Sequence, residues 1–128
     1  MQHRSALDKV RHLGSTHSGA EHWWSERLTA IALVPLSLWF VYSAIGLTGA
    51  DLAEFKAWIG LYGNPVLLIL FIFCMFHHGH LGVQVVIEDY VHNEQVKFLA
   101  IISTKFVAVL FGTASAFAVL QLTFGIDS

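Results

Sequence analysis

Apolar residues dominate three stretches of the chain: about residues 28–49 (LTAIALVPLSLWFVYSAIGLTG), about 65–87, and about 98–124. The second is strongly apolar to Phe76 and then carries histidines; the third has Lys105 near its start. A helix needs roughly 20 mainly apolar residues to cross the hydrocarbon of a bilayer, and all three stretches reach that length. The pattern predicts an all-α integral membrane protein with three transmembrane helices, residues 26–126, behind a polar segment, residues 1–25. That segment has no apolar core ahead of a small-residue cleavage site, so insertion is expected to rely on the spans themselves. Between the first two spans, Leu52, Phe55, Trp58, Ile59 and Tyr62 recur at helical spacing, which predicts a short helix lying in the interface. Asn64 followed by Pro65 predicts a capped start to the second span. Pro35 predicts a bend in the first. The connection from about Glu88 to Lys97 is brief and acidic.

Composition agrees with that pattern. The chain of 128 residues is 55% hydrophobic and 12% charged, against about 25% charged residues in soluble domains. A formal charge of −2 leaves no basic stripe to neutralise phosphates, which argues against a nucleic-acid partner. The single cysteine, Cys74, has no partner for an internal disulfide and lies in an apolar run, where it serves as a small buried hydrophobe. Arg4, Lys9, Arg11 and Arg27 precede the first span and Lys97 lies in the second connection, whereas only Lys56 lies in the first. The positive-inside rule then puts the N-terminus and the 88–97 connection in the cytoplasm or matrix and the C-terminus outside; with no transit-like leader, a bacterial inner membrane with the C-terminus in the periplasm is expected.

The chemistry concentrates in HGHLGVQVVIEDYVH, residues 78–92. Ionisable side chains within a span are expensive and are a functional-site hypothesis by default. On a helix His78, Gly82, Val85 and Asp89 share a stripe, with His77 rotated about 100° from it and His80 about 200°. The three histidines therefore do not converge on one ligand. At 1.5 Å per residue, His78 is roughly 16–18 Å from Asp89 and Tyr90 along the axis. His78 thus lies deep in the bilayer, and the Asp-Tyr pair lies at its cytoplasmic edge. An imidazole with a glycine one turn away suits an axial ligand of haem iron, the glycine leaving room for a flat macrocycle. The first and third stretches contain no histidine, so a second axial ligand would come from another chain. The alternative is that His78 only hydrogen-bonds a neighbouring helix and Gly82 only permits close packing. His77 and His80 are expected mostly to hydrogen-bond neighbouring helices. His92 has no evident role, and His3, His12 and His17 have no convergent spacing for a metal. Asp89 and Tyr90 read either as an interface anchor or as a polar grip on an amphipathic redox carrier.

The spacing H-x3-G-x6-D-Y, carried by His78, Gly82, Asp89 and Tyr90, resembles the small hydrophobic membrane-anchor subunits of succinate dehydrogenase, respiratory complex II. The fuller string is most similar to their alphaproteobacterial and mitochondrial versions. HWWSERLTAIALVPLSLWFV, residues 22–41, is similar to the entry into the first helix of that family. The resemblance spans nearly the whole chain except residues 1–21. It implies a helical bundle shared with a partner cytochrome b anchor subunit, and soluble iron–sulfur and flavoprotein subunits on the cytoplasmic face. It also implies that His78 is an axial ligand of a haem b whose other ligand belongs to the partner anchor. By the same resemblance Tyr90 hydrogen-bonds a ubiquinone carbonyl, Asp89 supports that site or its proton supply, and Arg27 lies near the haem propionates.

The chain has neither a dinucleotide fingerprint nor the cysteines of an iron–sulfur cluster, so it does not oxidise succinate by itself. The expected role is a non-catalytic anchor of succinate:ubiquinone oxidoreductase, an enzyme of the tricarboxylic acid cycle and the respiratory chain. The alternatives are the anchor of a quinol:fumarate reductase, and a purely structural anchor whose histidines only pack helices.

Overall fold

The computed structural model describes residues 6–125, with side chains from residue 20 onward; His3, His12 and His17 lie outside the described side chains. Four helices follow one another: α1 (Ala6–Gly46), α2 (Leu52–Ile59), α3 (Asn64–Tyr90) and α4 (Glu94–Phe124), with no strand among the described residues. Three helical segments are long and apolar enough to cross a membrane: Ala20–Gly46, Asn64–Tyr90 and Glu94–Phe124. The 27 residues of α3 rise about 40 Å, more than the roughly 30 Å of hydrocarbon.

The helices extend beyond the apolar stretches that announce them. No break separates the polar leader from the first span: α1 is continuous from Ala6 and runs through Pro35. The interval from Glu88 to Lys97 shortens to three non-helical residues, because Asn93 accepts from the backbone N–H groups of Gln95 (3.0 Å) and Val96 (3.3 Å) and so starts α4 early. Those bonds satisfy donors that a helix start leaves orphaned.

The interfacial helix forms where periodicity places it. Asp51 accepts from the Glu54 amide (2.8 Å) and the Glu54 carboxylate accepts from the Asp51 amide (3.0 Å), a reciprocal capping box. The apolar side of α2 folds onto one end of the bundle. Trp58 stacks on Trp39 with centroids 5.8 Å apart, and Ile59 is sealed against Leu68 and Val119. Asn64 does not cap α3. Its side-chain amide instead donates to the Trp58 carbonyl (2.8 Å), binding α2 to the start of α3. The cap position falls to Gly63, whose φ of +89° is open to glycine.

α3 is the centre of the arrangement, packed against α1 on one side and α4 on the other. Phe40 of α1 stacks on Phe71 of α3, with ring centroids 4.8 Å apart. On the other side Gly112 of α4 receives the Phe76 ring: a methyl group at Gly112 would lie 3.5 Å from it. Only Ile59, Leu68, Cys74, Leu81 and Val119 form a buried apolar core among the described residues. The broad apolar exterior that remains suits lipid and neighbouring membrane helices, where close packing and not water exclusion joins helices.

Candidate functional site

The antiparallel contact of α1 with α3 gives His78 its surroundings. Its Nδ1 lies 3.1 Å from the hydroxyl of Thr29, one helix away. Thr29 is the only buried polar side chain among the described residues, with 9% of its surface exposed. Its hydroxyl also lies 2.7 Å from the Ser25 carbonyl and 3.1 Å from that of Glu26. Among the described residues nothing else bonds His78, so Nε2 has no protein partner. Gly82 follows one turn later on the same face, and nothing lies within 4 Å of where a Cβ on it would sit. A half-buried imidazole with one nitrogen held and the other open, beside a glycine that leaves the helix surface bare, fits an axial ligand beside a flat macrocycle.

His77 and His80 do not share that setting. His77 stacks flat on Phe73, centroids 5.7 Å apart, and meets His80 edge to face at 5.1 Å. His80 Nδ1 lies 3.3 Å from the carbonyl of Phe76 in its own helix. The hydrogen bonds to neighbouring helices expected of this pair are absent among the described residues. Both rings instead line an apolar cavity of about 410 Å³ between α3 and α4, with Phe73, Phe76, Ala108 and Gly112. His78, Asp89 and Tyr90 do not line it. Its wall is almost wholly apolar, with the two edge-to-face imidazoles and Thr113 as its polar groups. The rotation of His77 and His80 away from His78 is the one that 3.6 residues per turn requires.

Asp89 and Tyr90 form the last turn of α3, which ends as the Val91 amide bonds the Ile87 carbonyl at 2.9 Å. Both side chains are exposed, Tyr90 at 77%. Neither has a side-chain partner among the described residues. Gln84 and Glu88, on the neighbouring stripe, are joined to each other by a 3.1 Å hydrogen bond. The two polar positions at the end of α3 are thus presented outward, some 16–18 Å along the axis from His78. They form no common cluster with His78.

Arg27 is not in contact with His78. Its guanidinium rests over the Trp23 ring, 5.1 Å from the centroid, a cation–π contact that holds the charge on the exposed side of α1. It lies two positions before Thr29, a rotation of about 200° on the helix, so Thr29 and not Arg27 faces α3. Two features near the site escaped the sequence. Thr29 sits in an apolar run, where a threonine commonly bonds its own helix, and no local pattern points to a partner 49 positions away. His22 falls within the helical segment that can cross the membrane, and its buried Nε2 has no hydrogen-bond partner. The polar look of residues 20–27 hides that this stretch continues the span, and the expectation that the first span holds no histidine is corrected: it holds His22. The described residues contain no group of three or more His, Cys, Asp or Glu side chains arranged to hold a metal ion by themselves.

Residues 1–112 match the profile of the family described as succinate dehydrogenase/fumarate reductase transmembrane subunit. The chain is 35% identical over 111 residues to the succinate dehydrogenase hydrophobic membrane anchor subunit of Rickettsia bellii, covering 84% of this chain and 86% of that one. It is 28% identical over 117 residues to the succinate dehydrogenase membrane anchor subunit of Reclinomonas americana, covering 80% and 88% of the two chains. With the hydrophobic membrane anchor subunit of Paracoccus denitrificans it shares 31% identity over 100 residues, 73% of each chain. No solved structure matches the chain.

Proposed function

The chain belongs to the succinate dehydrogenase/fumarate reductase transmembrane subunit family, and from that premise we propose that it anchors a succinate:ubiquinone oxidoreductase in the bacterial inner membrane. In this reading it binds one side of a haem b and contributes to the ubiquinone site. The flavoprotein and iron–sulfur subunits carry succinate oxidation and dock at the end of the bundle where α3 finishes. The partner cytochrome b anchor would supply the other haem ligand. The observation that carries the haem assignment is the imidazole of His78, fixed at Nδ1 by Thr29 and open at Nε2 beside the bare surface of Gly82. A bound haem b supplies a one-electron centre whose potential depends on its axial ligands and their hydrogen bonds. Arg27, steadied on Trp23, is the cation offered to the propionates from α1.

At the other site Tyr90 and Asp89 have different tasks. The phenol donates a hydrogen bond to a quinone carbonyl oxygen, which stabilises negative charge as it develops there. The Asp89 carboxylate, exposed at the same end of α3, exchanges protons with water and returns them to the reduced head group. Quinone reduction consumes protons as well as electrons, so a proton path at the membrane edge is a requirement and not an ornament.

The test is an optical spectrum of the purified complex. Wild type gives a reduced b-type haem band, and His78→Ala is expected to lose it. A band that survives the substitution unchanged overturns the ligand assignment. Absence of a band in the wild type leaves an anchor whose histidines only pack helices.

A further inference from the structure

Within a nearly all-apolar interior, one hydroxyl is buried at the crossing of α1 and α3, and it contacts the imidazole assigned to the metal. We infer that Thr29 is a positioning residue for His78: its hydroxyl accepts the Nδ1 proton, holds the ring against α1, and presents Nε2 as the nitrogen that binds metal. The inference rests on the haem reading of His78 and deepens it by naming what fixes the ligand.

The proton count carries the argument. A threonine hydroxyl has a single proton and two acceptor lone pairs. The shortest contact of Thr29 Oγ1 is with the Ser25 carbonyl at 2.7 Å, and the Glu26 carbonyl follows at 3.1 Å. Carbonyl oxygens only accept, so the proton of the hydroxyl is engaged within its own helix. Toward His78, at 3.1 Å, the same oxygen then has only lone pairs to offer. Nδ1 must therefore carry the ring proton, and in a neutral imidazole the lone pair then sits on Nε2. The reverse arrangement would turn the hydroxyl proton toward Nδ1 and give up both carbonyl contacts. It would also place a proton on Nε2, the nitrogen that must be bare to ligate.

Position and residue type agree with this role. Thr29 is buried, so water does not compete for the bond, and a hydrogen bond in an apolar interior is stronger than in water. Its bond to the carbonyl four residues back fixes χ1, and with it the direction of the remaining lone pairs. Metal-binding histidines usually donate their second ring N–H to such a partner, and loss of the partner weakens metal binding about 10- to 100-fold. Here the partner is an uncharged hydroxyl, which orients the ring without bringing a second charge into the membrane.

The experiment compares Thr29→Val and Thr29→Ser in the complex purified with all its subunits, with His78→Ala as reference. Valine keeps the shape of threonine and removes the acceptor; serine keeps the acceptor and removes the methyl group. Thr29→Val is expected to retain haem about tenfold or more less well through detergent exchange. Its residual haem should titrate at a more positive midpoint potential, because an imidazole without an acceptor at Nδ1 donates less electron density to iron. Thr29→Ser should match the wild type in both measurements. Unchanged retention and potential in Thr29→Val overturn the inference. Equal shifts in both variants also overturn it, because the methyl group would then be what matters. If Thr29→Val does not assemble, Thr29→Ala against Thr29→Ser gives the same comparison. His78→Ala separates the two levels: a haem band that persists in it sinks the ligand reading itself. Loss of the band there with an unaltered Thr29→Val sinks only the role of Thr29.

Discussion

Tyr90 ends α3 with its ring 77% exposed, and that exposure separates two uses of a tyrosine at a membrane edge. As a simple interface anchor it works through its ring, and the hydroxyl is dispensable. As the donor to a quinone oxygen it works through the hydroxyl alone. Tyr90→Phe keeps the ring and removes the donor. Quinone reduction by the complex is expected to fall on the order of tenfold, the equivalent of one hydrogen bond of about 1.4 kcal/mol, while succinate oxidation by a soluble artificial acceptor is unaffected. Equal loss in both assays would point to damaged assembly, and no loss in either would leave Tyr90 an anchor. The separation of this residue from His78 was legible in the sequence, because axial rise and rotation depend only on spacing within one helix. The partner of His78 was not. Thr29 lies in α1, 49 positions away, and reading that contact from sequence needs the relative rotation of two helices that carry few polar marks.

At the scale of elements, apolar length located three spans and spacing located α2, because bilayer thickness and the period of the helix act on local sequence. The ends were less legible. Asn64 has the chemistry of a cap, yet it is the first helical residue and bonds the Trp58 carbonyl. The polar residues 20–27 hid the continuation of α1 because helix formation does not require apolarity, and Ala, Glu and Arg are good helix formers. Packing between α3 and α4 depends on a residue that sequence alone does not single out. Gly112 lets the Phe76 ring approach, with a methyl group at that position in ordinary contact at 3.5 Å. Gly112→Ala is therefore expected to accumulate in the membrane like wild type. Gly112→Leu drives a branched side chain into that ring and should destabilise the helix pair by about 1–3 kcal/mol, the usual range for overpacking. The check is the amount of folded complex recovered after a graded detergent or heat challenge. Equal recovery of the leucine variant would show that α3 and α4 separate freely there.

For the whole molecule, the antiparallel register of Thr29 with His78 and of Phe40 with Phe71 sets the N-terminal part of α1 and the C-terminal end of α3 at the same end of the bundle. Arg27 and Lys97 belong to that end, whereas Lys56 lies on α2 at the other. In the orientation proposed from the bias of basic residues, the first end would face the cytoplasm, and Tyr90 and Asp89 would then lie on the side where water-soluble electron-donating subunits are made. This orientation is open to a direct measurement. Cys74 is buried, so the chain offers little background to a membrane-impermeant thiol reagent. Thr48→Cys, at an exposed position between α1 and α2, should be labelled from the periplasmic side. His92→Cys, exposed between α3 and α4, should be labelled only after the inner membrane is opened. The reverse result would carry Tyr90 to the periplasmic surface, away from any cytoplasmic electron donor. A quinone site at the end of α3 would then be unable to receive electrons from succinate over a short path, and the anchor role would have to be separated from the quinone role.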